Sequence, residues 1–206
     1  MRTKTLLLCS LLACGTIIAN AQEKGFNVGI TAGMNVAKMT NMEMESRLGF
    51  NIGAKFEYNF NHHLYLGWGV LWTMKGSKCD IYGDDNYKTK MKYNPHYLEL
   101  PISIGGRFTM NDGISIFGET GPYLAIGVCG KIKYGDFSEL FGMNDKEFFN
   151  ETASNRFDSG WGARAGIEIN GFQVHIGYEY SFTKVVDTDF YKSHNTNLNI
   201  GVTYMF

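Results

Sequence analysis

His175, Glu179 and Ser181 supply the parts of an acyl-transfer site: a base, a carboxylate to orient it and a hydroxyl nucleophile. They lie at even spacings, so an extended chain puts all three on one face, with positions two apart separated by about 6.6 Å along the strand. The spacing permits a relay, but it suits a polar network on a covered face far better, and the network is the expectation. His62 and His63 come next. Adjacent strand residues point to opposite faces, and no cysteine or second histidine pair lies near them to complete a zinc ligand set. A solvated turn is expected there, and no spacing ties His96 to His194. Asp80, Asp84 and Asp85 lack the alternating ligands, central glycine and terminal glutamate of a calcium loop. The residues thus predict no metal, no cofactor and no catalytic group.

The element carrying His175 explains its company. In Phe172-Gln173-Val174-His175-Ile176-Gly177-Tyr178-Glu179-Tyr180-Ser181-Phe182 every second residue is large and apolar, and those between are polar, charged or glycine. A period of two is a β-strand with one apolar face. The same pattern recurs to give eight strands, at about 26–36, 48–60, 64–75, 97–108, 114–128, 156–169, 172–182 and 195–206. The connections alternate long and short. The short ones are a turn at Asn61-His62-His63, an Asp112-Gly113 turn and an Asn170-Gly171 hairpin, whose two residues tolerate positive φ. The long ones, about 76–96 and 130–155 among them, are hydrophilic loops holding Tyr82, Tyr87, Tyr93, Phe137, Phe141, Phe148 and Phe149. Such aromatics either anchor a partner or pack the loops on one another.

This predicts an all-β, eight-stranded, antiparallel up-and-down transmembrane barrel with both termini at the periplasmic end. A soluble barrel would also alternate, but it needs a wet outer face. Here the apolar faces carry no Asp, Glu, Lys or Arg, while Lys55, Glu57, Lys75, Glu99, Arg107, Glu119, Arg164, Glu168, His175 and Glu179 share the opposite, glycine-rich faces. So narrow a barrel fills its own interior. The inward charges therefore form a paired network. The Asn170-Gly171 hairpin sets Ile169 opposite Phe172 and Arg164 opposite Gly177, which makes Arg164 and Glu179 diagonal inward neighbours. That pair is predicted to bond, with Glu119 and Glu168 nearby. Pro101 and Pro122 fall inside strands and remove ladder donors, so a bulge or an early end to pairing is expected at each.

Net charge is −1, which points to neither a nucleic-acid partner nor a basic membrane-surface patch. Residues 1–21 read as a signal peptide before a barrel domain over 22–206: Arg2 and Lys4, an apolar core from Leu6 to Ile18, and a small-residue site at Ala19-Asn20-Ala21. Leu11-Leu12-Ala13-Cys14 offers lipoprotein processing as the alternative. Cys79 and Cys129 remain after cleavage, in a compartment that permits a disulfide; both fall near the outer rim, where a bridge would fasten the two longest loops if the strands bring them close enough.

The segments Ala19-Asn20-Ala21-Gln22, Tyr97-Leu98-Glu99-Leu100-Pro101 and Gly121-Pro122-Tyr123 together resemble the PorT-like family of small outer-membrane β-barrel proteins, over essentially the whole mature chain. The terminal Phe206 matches the C-terminal signal that barrel insertion machinery reads. The resemblance implies the outer membrane of a Gram-negative envelope, makes Pro101 and Pro122 family features, and brings no catalytic residue. One namesake is linked to protein secretion and gliding machinery. The expected function is a non-enzymatic outer-membrane protein, embedded in outer-membrane lipid, that is structural or presents its loops to an extracellular or envelope protein. The alternatives are a narrow pore and a lipid A-modifying enzyme.

Intact-mass spectrometry of the protein from outer membranes should give a chain beginning at Gln22. A lipidated Cys14 at the N-terminus would establish lipoprotein processing instead.

Overall fold

The computed structural model describes residues 25–40, 44–82, 88–111, 113–134, 145–151, 155–187 and 192–206. The strands are β1 (Phe26–Met39), β2 (Glu45–Asn59), β3 (Leu64–Met74), β4 (Ser77–Tyr82), β5 (Lys88–Asn111), β6 (Ile114–Lys133), β7 (Lys146–Glu147), β8 (Phe157–Ile169), β9 (Phe172–Ser181), β10 (Val186–Asp187), β11 (Lys192–Ser193) and β12 (Asn195–Met205). One short helix, α1 (Phe148–Glu151), follows β7. Eight strands close into a ring in the order β1-β2-β3-β5-β6-β8-β9-β12, and β12 pairs back to β1. Every pairing is antiparallel, so no edge is left in the ring.

The apolar faces point outward. Ile30 is 58% exposed and Ile176 52%, whereas Thr31 and His175, their inward neighbours, are 4% and 7%. The predicted register holds: Ile169 faces Phe172 and Arg164 faces Gly177. Asn170 and Gly171 turn the chain with φ of 48° and 83°, as that hairpin requires.

The prolines do not act as expected. Neither produces a bulge, and both strands run on. The β6–β8 ladder passes unbroken through Pro122 opposite Trp161, so the missing donor falls on the β5 side. There the ladder skips from Pro101–Tyr123 to Ile104–Thr120 with the register unchanged. The β3–β5 ladder likewise skips from Trp68–Ile102 to Leu71–Glu99. The strands stay close because Gly121 offers no Cβ to strike the carbonyl of Ile102. The register shifts of this strand pair lie elsewhere, at His96/Tyr97 and Thr109/Asn111.

The loops expected at 76–96 and 130–155 are in part strands. β3 resumes as β4 beyond Gly76, whose φ of 128° suits glycine. β4 pairs with β5, and β6 runs on to Lys133 and pairs with β7. β5 has 24 residues and β6 has 20, far more than the roughly 9–11 that cross a bilayer. Their far ends have no lipid to face, so the alternation persists with its outer face charged: Lys90, Lys92, Lys131 and Lys133 are exposed, while Met91, Tyr93 and Ile132 turn toward the inner cluster.

Apolar residues close the barrel at this long-loop end. Met39, Met44, Tyr97, Tyr123, Ala125, Ile132, Phe148, Phe149 and Val185 form one buried cluster. Phe149 packs edge-on to Tyr97 at 5.7 Å and to Phe148 at 5.0 Å. Two of the loop aromatics thus turn inward, and Tyr93 packs against Phe148. Tyr87, Phe137 and Phe141 lie outside the described residues, as do residues 1–24.

Ile176 sits mid-strand on the lipid side. Ile176→Arg should destabilise the folded protein by about 2–4 kcal/mol, read from equilibrium unfolding in lipid vesicles. An unchanged midpoint would place this face away from lipid.

Candidate functional site

The deepest charge is Lys75, in the short link between β3 and β4. Its side chain is fully buried, with Nζ 2.7 Å from Glu99 Oε2, 3.6 Å from Asp158 Oδ2 and 3.7 Å from Glu179 Oε2. The ammonium also lies 4.1 Å from the Tyr123 ring centre and 5.9 Å from that of Tyr97. A buried cation persists only where partners replace its water. Three of those partners, Tyr97, Glu99 and Tyr123, belong to two of the three segments that carried the family resemblance.

Arg164 links this cluster to a second one. Its Nη2 is 3.4 Å from Glu179 Oε1, the predicted pair, and its Nη1 is 3.7 Å from Glu119 Oε1. Glu119 Oε2 accepts from Lys55 Nζ and from the Tyr65 hydroxyl, each at 2.9 Å. Lys55 Nζ lies 3.1 Å from Glu57 Oε1, and Arg107 Nη2 lies 2.6 Å from Glu57 Oε2. Glu168, expected beside Arg164, is found on Arg107 at 2.9 Å. The network therefore runs along the barrel from Asp158 to Glu168.

The named groups are four cations, Lys55, Lys75, Arg107 and Arg164, against six carboxylates, Glu57, Glu99, Glu119, Asp158, Glu168 and Glu179. Neutral donors offset the surplus. Asn197 donates to Glu179 at 3.0 Å and Asn195 to Asp158 at 3.1 Å, while Gln173 donates to Glu57 and Glu168. Ser181 and Thr183 both donate to Asp158. Asp158 was missed in the sequence, although its parity matches Gly160 and Arg164 on the same strand.

The residues with catalytic potential do not converge. His175 faces inward beside Gly201, Glu179 is held by Arg164 and Lys75, and Ser181 bonds to Asp158 and Thr183. His63 belongs to a turn in which Asn61 Oδ1 accepts from the amides of His63 and Leu64, both at 2.8 Å. Asp80 pairs with Lys90 at 3.9 Å, and Asp84 and Asp85 lie outside the described residues. Among the described residues no cluster of His, Cys, Asp or Glu has metal-binding geometry.

The disulfide proposed across the rim is not formed. Both thiols are free. Cys79 pairs with Met91 on one side of β5 and Cys129 with His96 on the other. Five positions along β5 separate them by about 16 Å, beyond any bridge. Burial raises the pKa of the Cys79 thiol, with Asp80 adding to the shift. Nearby on the outer surface, hydrogen bonds from Lys90 and Lys78 hold the Glu45 carboxyl below its usual range, at 3.3 and 3.4 Å. Phe206 ends the chain at the short-turn end, its amide donating to Val28 O at 2.8 Å.

Residues 20–187 match the family model described as outer membrane protein beta-barrel domain. The chain belongs to that family. This outer-membrane barrel is similar to solved structures of the same kind. Neisserial surface protein A is 18% identical, with 88% of this chain and 97% of that one covered and a TM-score of 0.46. Ail of Yersinia pestis is 19% identical, covering 88% and 97%, with a TM-score of 0.38. OprG from Pseudomonas aeruginosa is 11% identical, covering 88% and 94%, with a TM-score of 0.42. No curated protein sequence matches. The family places the barrel in the outer membrane, where its exposed apolar wall is covered by lipid.

Lys75→Met leaves three carboxylates facing a methyl group and should cost about 3–5 kcal/mol. Adding Glu99→Gln should recover part of that loss, giving a non-additive double-mutant cycle in equilibrium unfolding. Strict additivity would mean that the two groups do not interact.

Proposed function

We propose that this is a non-enzymatic outer-membrane barrel that conducts no solute and presents its long-loop end outside the cell to a protein partner, with both termini in the periplasm. Short turns inside and longer connections outside are the usual arrangement of such barrels. The observation that carries the reading is the packed mid-section. Cavities touching the Lys55–Glu119–Arg164–Glu179 stretch hold about 20, 10 and 10 Å³, room for single waters. The apolar cluster around Phe148 and Phe149 adds a second closure above it. Within the family we place the chain in the PorT-like branch, on Tyr97-Leu98-Glu99-Leu100-Pro101 and Gly121-Pro122-Tyr123, which gather around Lys75. The C-terminal strand ending in Phe206 is the segment we assign to the insertion machinery.

Refolded mature protein should leave a planar bilayer electrically silent. Unitary steps that vanish in Arg164→Met would overturn the closed reading and favour a pore. An epitope inserted between Ser138 and Glu139 should be reached by antibody on intact cells. Labelling only after the outer membrane is broken would reverse the orientation.

A further inference from the structure

Above the apolar belt the outer surface of β4, β5 and β6 is strongly basic. At His96/Tyr97 the β5–β6 register shifts: His96 faces Cys129, while Tyr97 faces Gly127, so Val128 is an extra residue. A bulge of this kind re-aims the side chains that follow it. Below it the even residues of β6 face out, such as Leu124 and Ile126; above it Lys131 and Lys133 are exposed and Ile132 is only 3% exposed. Without the bulge both lysines would point into the mouth.

The cross-strand register then sets Lys78 opposite Lys92 and Lys92 opposite Lys133. Like charges directly opposite one another destabilise a sheet. Glu45 relieves Lys78 at 3.4 Å, but among the described residues no carboxylate pairs with Lys92 or Lys133. Just below lies a cleft of about 470 Å³ lined by Arg47, Lys131, Lys133 and Arg156, with Glu147 its one carboxylate. Met74 and Val128, from the top of the lipid-facing wall, form its apolar side. Lys131 pairs with Asn94, two residues past His96, so the first cations stand about 7 Å above the last apolar row. Cations at that height over an apolar wall match a lipid whose chains lie on the barrel and whose phosphates reach the rim.

We propose that this cleft, with Lys92 beside it opposite Lys133, binds the phosphorylated headgroup of an outer-leaflet lipid, with Lys92, Lys131 and Lys133 as the phosphate-binding groups and Met74 and Val128 against its acyl chains. The leaflet rests on the orientation proposed above; the binding itself does not. The mature protein in zwitterionic micelles is titrated with an acylated glucosamine disaccharide carrying two phosphates, and bound lipid is counted by native mass spectrometry. The wild type should bind with salt-sensitive affinity. K92Q/K131Q/K133Q should bind about a hundredfold more weakly, at about 1 kcal/mol per lysine, while still showing the folded form by heat-modified electrophoretic mobility. Equal binding by the triple variant, or equal binding of the dephosphorylated lipid, would overturn the site. Displacement by the same concentration of inorganic phosphate would overturn its assignment to lipid. The micelle assay is indifferent to orientation, and the epitope test is indifferent to binding, so the two readings fail separately.

Discussion

A fully buried ammonium constrains the inside of this barrel more than any other group. Lys75 is buried away from solvent, and three carboxylates and the face of Tyr123 surround it. Those carboxylates come from β5, β8 and β9, strands that do not all adjoin one another. Their positions fix how the far walls stand across the lumen. Glu179 in turn needs Arg164, Arg164 reaches Glu119, and Glu119 reaches Lys55. Each charge is tolerable because the next one is present, which makes the filling of the lumen a single cooperative object.

The outside follows a different rule. Alternation alone decides it, since lipid accepts any apolar side chain and rejects charge. That is why the wall was legible from the sequence: a period of two over Phe172–Ser181 or Asn195–Met205 leaves one reading. The Arg164–Glu179 pair was legible as well, because a two-residue hairpin fixes the register nearby. Glu168 was expected beside Arg164, but its partner Arg107 comes from β5, on the far side of β6, and nothing local to the β8–β9 hairpin sets how that strand stands against it.

The rest was hidden for physical reasons. Beyond the membrane the outer face meets water, so the extensions of β5 and β6 alternate lysine with smaller or apolar residues and read as hydrophilic loops. The bulge at Val128 is invisible to parity counting, and it reverses where Lys131 and Lys133 point. The prolines misled in the opposite direction. Each was expected to bring a bulge or an early end to pairing, yet a ladder only skips two rows at each, on the β3 side of Pro101 and on the β5 side of Pro122, with the register kept. The cysteines looked close because both lie near one rim, but β5 stands between them.

The seam between β1 and β12 has a distinct character. Its inward residues are Thr31, Gly33 and Asn35 on one side and Asn199, Gly201 and Thr203 on the other, joined by a Thr203–Thr31 hydroxyl bond at 2.8 Å. No ionised group faces the lumen along it, whereas the ion pairs tie together β2, β5, β6, β8 and β9 and the link that carries Lys75. Parting the chain termini would therefore bare amides and hydroxyls but strand no charge. The cylinder can be assembled as a curled sheet with its electrostatics already satisfied and then zipped shut along a neutral edge, the first and last strands meeting at the end.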